Sequence, residues 1–534
     1  MAEGRRGDEE FGTIPGLVRG AAARHGDHLA VVDGNVALSF AGLAARVEQA
    51  TRALAGRGIA KGDCVAIWAP NGWQWIVAAL AAHACGATLV PVNTRFKGEE
   101  AAYVLAKSGV RALFTTTDFL GADCLALLRA SGTPLPALET TVVTSGKVPA
   151  GALGWDAFLA GAQAVTAGLA EARARAVAPD DLSDIMFTSG TTGRPKGVKC
   201  THAQTLRAFR DWSDIVGLEA GDRYLVALPF FHSFGYKAGW LACLMMGATI
   251  HPLDVFDVEA VFARVRAERI TVLPGPPSLY QSILARPHGH GHDLSSLRLA
   301  VTGAAAIPVD LVERMRKELG FKTVLTGYGL TEATGVSTLC RREDDAETIA
   351  TTSGRAIPGV DIRVIGDDGI EVPRGTPGEF VVSGYTVTGG YLDDEVETSS
   401  AIDSYGRLRT GDVGVMDSRG YLRITDRKKD MFIVGGFNAY PAEIESVLSR
   451  HDAIARVAVI GTPDNRLGEV GVAFVVLRPG ARLDESSLVD WSRERMANYK
   501  VPRRFVMVSD LPSNATGKVL KHALREQARQ TSRR

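Results

Sequence analysis

Thr188-Ser189-Gly190-Thr191-Thr192-Gly193-Arg194-Pro195-Lys196-Gly197 gathers four hydroxyls, three glycines and a lysine near its end into ten residues. Hydroxyls and Lys196 offer donors and positive charge. The glycines let backbone N–H groups approach an anion without a Cβ in the way. The short apolar run Ser183-Asp184-Ile185-Met186-Phe187 before it predicts a buried strand. The apolar spacing of residues 198–217 predicts a helix. Strand, Gly/Thr loop and helix form a common grip on phosphate. No Gly-Lys-Ser/Thr follows at P-loop spacing, so this is a phosphate loop of another kind. A surface linker has the same composition, so the context must decide.

Five more strings carry chemistry. Pro229-Phe230-Phe231-His232-Ser233-Phe234-Gly235 sets a histidine among aromatics. Thr302-Gly303-Ala304-Ala305 follows a predicted strand at 297–301, and Thr326-Gly327-Tyr328-Gly329-Leu330-Thr331-Glu332 follows it in turn. Both are strand-to-loop switches, where an α/β sheet tends to bind its ligand. Thr410-Gly411-Asp412 presents a carboxylate that can accept two hydroxyls. Pro512-Ser513-Asn514-Ala515-Thr516-Gly517-Lys518 presents a late lysine. Each alone has a bland reading: a packed histidine, a helix cap, a turn, an exposed lysine.

In this order the strings resemble the adenylate-forming superfamily, over about Phe11 to Arg525. The resemblance implies an AMP-forming acid–thiol ligase that uses ATP, Mg²⁺ and CoA. It implies that Thr188, Ser189, Gly190, Thr191, Thr192, Gly193 and Lys196 hold phosphates, and that Gly303 and Ala304 pass beside adenine. It implies that Tyr328 stacks on the base, Thr331 meets the α-phosphate, Glu332 holds Mg²⁺ and Asp412 and Arg427 hold the ribose. Lys429 falls at the hinge, and Gly436 falls in a loop, Gly435-Gly436-Phe437-Asn438-Ala439-Tyr440-Pro441, that forms the thiol tunnel. Lys518 is implied as the catalytic lysine of adenylation. His232, with Phe234, Gly235, Lys237, Gly327 and Gly329, is implied around the carboxylic acid, His232 as its gate. Lys237, a charge among apolar neighbours, either snorkels to solvent or reaches a polar group of the acid such as a ring ketone.

Carboxylates are poor electrophiles, and bringing one to ATP juxtaposes negative charges. Mg²⁺ and lysines offset that repulsion. A non-catalytic nucleotide-binding scaffold would need no such set as Lys196, Glu332 and Lys518. About fifteen residues follow Lys518, so no carrier domain is expected. Phe231-His232-Ser233-Phe234 stands where an adenylation domain carries its amino-acid-anchoring Asp, which favours a free-standing CoA ligase. Stretches 231–239, 273–280 and 344–355 resemble an actinobacterial subgroup that activates a hydrindanedione propanoate from steroid degradation. A medium- or long-chain fatty acid is the alternative substrate.

These groups require a scaffold. At 534 residues the chain is long enough for several subdomains. Strand runs alternate with helical stretches such as 40–56 and 73–85 from about 29 to 272, which predicts layered α/β subdomains with largely parallel sheets. Turn-punctuated runs between 354 and 425 predict a β-rich subdomain. The remainder predicts a small, mobile α+β domain. The expected boundaries are a disordered tail at 1–12, a large domain at 13–426, a hinge at 427–430, a small domain at 431–526 and a tail at 527–534. Lys plus Arg equals Asp plus Glu, 60 each, so neither nucleic acid nor an anionic membrane is an expected partner. Six cysteines without a CxxC pair suit a reducing compartment, and no stretch suits a signal peptide or membrane span, so the expected location is cytoplasmic. The expected partners are the acid, ATP and CoA, with room for a homodimer. His288, His290 and His292 lack an acidic or thiol neighbour and are not taken as a metal site.

Overall fold

The computed structural model describes residues 6–188, 194–286, 293–303, 307, 309–366, 368–427, 432–439, 441–512, 519 and 521–531. Apolar periodicity and capping set its helices. Phe40–Gly56 starts where Ser39 Oγ accepts the Gly42 N–H, and it buries Phe40, Leu43, Val47, Ala50 and Leu54 along one face. Each such large side chain contributes about 1.5–3 kcal/mol by leaving water. Trp73–Ala84 is buried from Trp75 to its end, so it runs through the interior before the strand Thr88–Pro91.

Seven strands form the first sheet, in the order Leu153–Gly154, Thr140–Ser145, Val110–Thr116, Cys64–Trp68, Thr88–Pro91, Leu182–Thr188, Lys196–Thr201. All pairs are parallel except the last. A second layer joins Arg223–Val226, Thr249–Pro252, Leu29–Asp33 and Val36–Ser39 to Leu299–Gly303, Thr323–Tyr328, Thr338–Leu339 and Arg355–Ala356, through bridges from Val272 to Tyr224 and Leu299. Val360–Ile365, Gly378–Gly384, Leu408–Met416 and Leu422–Arg427 make an antiparallel meander, the expected β-rich part. The C-terminal unit packs helices Pro441–Leu448 and Glu485–Arg495 on a sheet centred on Gly468–Leu477, around Phe432, Ile444, Leu448, Val475, Leu488 and Phe505. Among the described residues no helix is long and apolar enough to cross a membrane. All six cysteines are free thiols.

Two expectations about secondary structure need correction. The chain leaves the phosphate loop as a strand, Lys196–Thr201, not as a helix. Val198 and Cys200 face inward between half-buried Lys199 and Thr201, and the strand pairs back on Leu182–Thr188. The helix starts only at His202, where Thr201 and Gln204 cap each other. Six strand residues, roughly 20 Å at ~3.3 Å each, separate that N-terminus from the loop. The second concerns the N-terminus. Gly7–Phe11 is a helix with Phe11 buried, and Glu10 pairs with Arg24 and Arg210. These ion pairs fix a segment whose charge alone suggested a disordered tail.

Lys237 is fully buried, with Nζ 3.0 Å from Asp184 Oδ1. It neither reaches solvent nor lines the cleft described below. Asp184 sits on the strand leading into the phosphate loop and also accepts the Ser183 hydroxyl. Lys237 belongs to a widened helical segment, Tyr236–Leu241. Burial disfavours its charge, but Asp184 and Cys200 outweigh this and hold its pKa above the ordinary lysine value. The pair therefore ties the phosphate-loop strand to the segment after His232. We predict that Asp184→Ala, which strands a buried ammonium, destabilises the protein by about 3–5 kcal/mol. Asp184→Ala with Lys237→Met should lose less. Denaturant unfolding with the single variant as stable as the double would contradict the charge argument.

Candidate active site

The parallel strands Leu299–Gly303 and Thr323–Tyr328 end at a cleft of about 840 Å³. Phe209, Trp212, Phe234, Val301, Val336 and Leu339 line its apolar part. Thr188, Lys196, Thr331, Glu332, Tyr391 and Asp412 line its polar part. The strand ends approach closely. A Cβ on Gly303 would lie 2.8 Å from the Gly327 carbonyl oxygen, and one on Gly327 would lie 2.6 Å from Leu339 Cδ2. These glycines are needed where backbone meets backbone at the cleft floor.

Among the described residues, the charged groups of the polar lining are partnered. Lys196 pairs with Glu397, and its Nζ lies 5.3 Å over the Tyr391 ring. The Tyr391 hydroxyl donates to Glu332 Oε1 at 3.1 Å, and the Thr188 hydroxyl donates to the same oxygen at 3.3 Å. Glu332 is thus oriented through one oxygen. Among the described residues its Oε2 has no hydrogen bond. Tyr328 OH donates to Asp412 Oδ2 at 2.7 Å, both side chains being buried, and the tyrosine ring meets Phe380 edge-on. Beneath Asp412, buried Glu379 accepts the Gly411 N–H and pairs with Arg409. This arrangement presents the Lys196 ammonium, the oriented Glu332 carboxylate and the Asp412 acceptor to a single space.

His232 opens onto the cleft and caps the short helix Ser233–Gly235, its Nδ1 accepting the Phe234 N–H at 3.3 Å. Gly235 does not line the cleft. A Cβ there would lie 2.2 Å from the Pro229 carbonyl oxygen, so its role is to let the helix pack on its own entry loop. Gly329 is on the wall, where a Cβ would meet the Gly335 backbone at 2.3 Å. Gly436, with a φ of +86°, lines the cleft mouth, and a Cβ there would lie 3.5 Å from Pro276 Cβ.

Ser189, Gly190, Thr191, Thr192, Gly193, Ala304, Lys429 and Lys518 lie outside the described residues, as do His288, His290, His292 and the Arg427 side chain. The Arg427 backbone pairs with Asp412 across the hairpin. Sequence reasoning missed Tyr391, Glu397, Glu379 and Trp212. Glu397 sits in the first turn of Glu395–Ala401, capped by Asp394, where an acidic residue ordinarily marks only a helix start. Tyr391 lies 59 residues from Glu332 in sequence, and no local pattern announces that contact.

Comparison with known proteins agrees with this geometry. The sequence model described as AMP-binding enzyme matches residues 18–392, and that of the AMP-binding enzyme C-terminal domain matches residues 443–518. The chain is 50% identical, over 97% of its length and 99% of the relative's, to 3-[(3aS,4S,7aS)-7a-methyl-1,5-dioxo-octahydro-1H-inden-4-yl]propanoyl:CoA ligase of Rhodococcus jostii (strain RHA1). It is 50% identical to the ligase of the same name from Mycobacterium tuberculosis (strain ATCC 25618 / H37Rv), over 96% of this chain and 98% of that one. Among solved structures, o-succinylbenzoate CoA synthetase from Bacillus subtilis, bound with a product analogue, superposes with a TM-score of 0.80 at 27% identity, covering 96% of this chain and 98% of that one. Two family models that together span most of the chain, and relatives matched nearly end to end, place it: the chain belongs to the AMP-binding enzyme family.

Proposed function

We propose that this enzyme is an ATP-dependent acyl-CoA ligase whose acid is a bicyclic hydrindanedione propanoate. One observation carries the reading: a single cleft is lined both by Thr188, Lys196, Glu332 and Asp412, which suit phosphate and ribose, and by Phe209, Trp212 and Phe234, which suit an apolar acid. A compact, flat hydrocarbon suits such a wall. The 50% identity to two ligases named for that acid supports the substrate choice.

In the first step a carboxylate oxygen attacks the α-phosphorus of ATP. The bond to the pyrophosphate oxygen breaks, and pyrophosphate leaves with the electron pair. Lys196 exchanges Glu397 for phosphate oxygens. Asp412, held by Tyr328, accepts the ribose hydroxyls, and Thr331 sits at the α-phosphate. Glu332 fits Mg²⁺, which typically takes one or two carboxylates and otherwise phosphate and water oxygens. No cluster of three acidic, His or Cys side chains stands among the described residues, so the nucleotide would complete the set. The ion would supply positive charge against the phosphates. In the second step the CoA sulfur attacks the acyl carbonyl, the bond to AMP breaks, and the thiol proton passes to solvent. Lys518 serves the first step and the Gly436 loop serves the second. The small domain turns about Lys429 between them.

A panel of acids assayed for CoA consumption tests the substrate. The hydrindanedione propanoate should exceed medium- and long-chain fatty acids in kcat/KM, and a fatty acid in first place would overturn the choice. Glu332→Gln should lower Mg²⁺-dependent turnover by several kcal/mol of barrier, roughly 10²-fold or more, while barely moving the thermal midpoint. Undiminished turnover at limiting Mg²⁺ would remove Glu332 from the metal. Lys518→Ala should cut acid-dependent pyrophosphate release by about 10²–10³ and spare CoA attack on supplied acyl-adenylate. Gly436→Leu should do the reverse. Equal slowing of both steps by both variants would refute the two-arrangement reading.

A further inference from the structure

The C-terminal unit meets the large domain around one buried cation. Lys500 is 1% exposed, with Nζ 2.7 Å from Glu100 Oε1 and 2.6 Å from Glu443 Oε1. Glu443 belongs to the same unit as Lys500 and lies on the helix Pro441–Leu448, directly after the Gly436 loop. Glu100 belongs to the large domain, in the first turn of Gly98–Lys107. Aromatic rings enclose the site, with Lys500 Nζ 4.6 Å over Phe96 and 5.7 Å over Tyr499. Alongside, Phe437 of the loop stacks on Tyr499, and Arg95 of the large domain lies 4.9 Å over Phe437.

The energetics make this contact conditional on domain position. A lysine out of water is costly unless paired. Burial lowers the tendency of Lys500 to carry charge, but Tyr499, Glu443 and Glu100 more than offset this and hold its pKa well above the ordinary value. Burial holds the Glu443 carboxyl above its usual range despite the Lys500 ammonium beside it. If the small domain turns, Lys500 and Glu443 travel together and Glu100 stays behind. The bond to Glu100 therefore exists only in the arrangement seen here, the one with Gly436 at the cleft mouth beside Pro276. Glu100 is preset for it: its other oxygen accepts the Lys97 N–H at 2.9 Å, which fixes the carboxylate before Lys500 arrives.

We propose that Glu100 and Lys500 form an interdomain latch, a positioning pair that holds the small domain with the Gly436 loop at the cleft for the thiol step. This rests on the two-arrangement reading of the ligase above. Neither residue touches substrate. The latch acts by biasing which of two domain positions is populated, and it can do so only because it bonds in one of them.

Glu100→Gln tests it in the full-length enzyme, since glutamine keeps an acceptor for the Lys97 N–H and removes the charge. Two rates are read separately: acid-dependent pyrophosphate release, and CoA attack on supplied acyl-adenylate in a single turnover. The latch predicts that CoA attack falls roughly tenfold, within the usual range of coupling between distant sites, while pyrophosphate release is unchanged or faster. Lys500→Met should act in the same direction. The double variant should be no slower than Lys500→Met alone, because the two groups act as one. Should Lys500→Met fail to fold, Glu100→Gln decides on its own. CoA attack at the wild-type rate in Glu100→Gln, or equal slowing of both steps, overturns the latch. Gly436→Leu is the control. If it separates the steps and Glu100→Gln does not, the latch alone falls; if it fails to separate them, the two-arrangement reading falls and takes the latch with it.

Discussion

Like charge meeting like charge is the problem this structure is organised around. An acid ready to be activated is an anion, and the phosphates it must reach are anions too. Among the described residues at the cleft the fixed charges already have counterparts: Lys196 with Glu397, Glu332 with the hydroxyls of Thr188 and Tyr391, Asp412 with Tyr328. Lys196 trades its partner when phosphate arrives, whereas Glu332 and Asp412 are held in place by neighbouring hydroxyls, and groups so fixed outperform water. The same rule governs the interior. Asp184 and Lys237, and Glu443 and Lys500, are buried as pairs, because a lone buried charge would cost several kcal/mol.

Positioning these charges falls to a few backbone features. The two parallel strands that end at Gly303 and Gly327 approach too closely for side chains at those positions, which sets the cleft floor. The meander brings Asp412 opposite the backbone of Arg427 and under Tyr328. The paired strands Leu182–Thr188 and Lys196–Thr201 bring Thr188 and Lys196 to the cleft, and Asp184 within them binds the segment that follows His232. Phosphate end and acid end are thereby mechanically joined through a buried ion pair 53 residues apart in sequence.

Local order was readable in the sequence wherever local forces decide it. The helix at 40–56 carries its cap and its apolar face in its own residues. The strand strings that end at 303 and 328 carry their glycines at the point of closest approach. Where tertiary partners decide, the sequence misled. Residues 198–201 begin a stretch of helix-compatible spacing, but the neighbouring strand captures them. Residues 1–12 look like a charged tail, but within the described part, from 6 onward, Arg24 and Arg210 hold Glu10. Lys237 was expected at solvent or substrate, and Asp184 took it instead. Glu397 and Tyr391 enter the site from a helix start and a turn whose composition is ordinary.

On this reading the cleft forms an acyl-adenylate by itself, before any thiol takes part. Exchange of labelled pyrophosphate into ATP, with the hydrindanedione propanoate present and CoA absent, tests it most directly. Exchange should require both the acid and Mg²⁺. Label entering ATP without the acid, or no exchange until CoA is added, would contradict it.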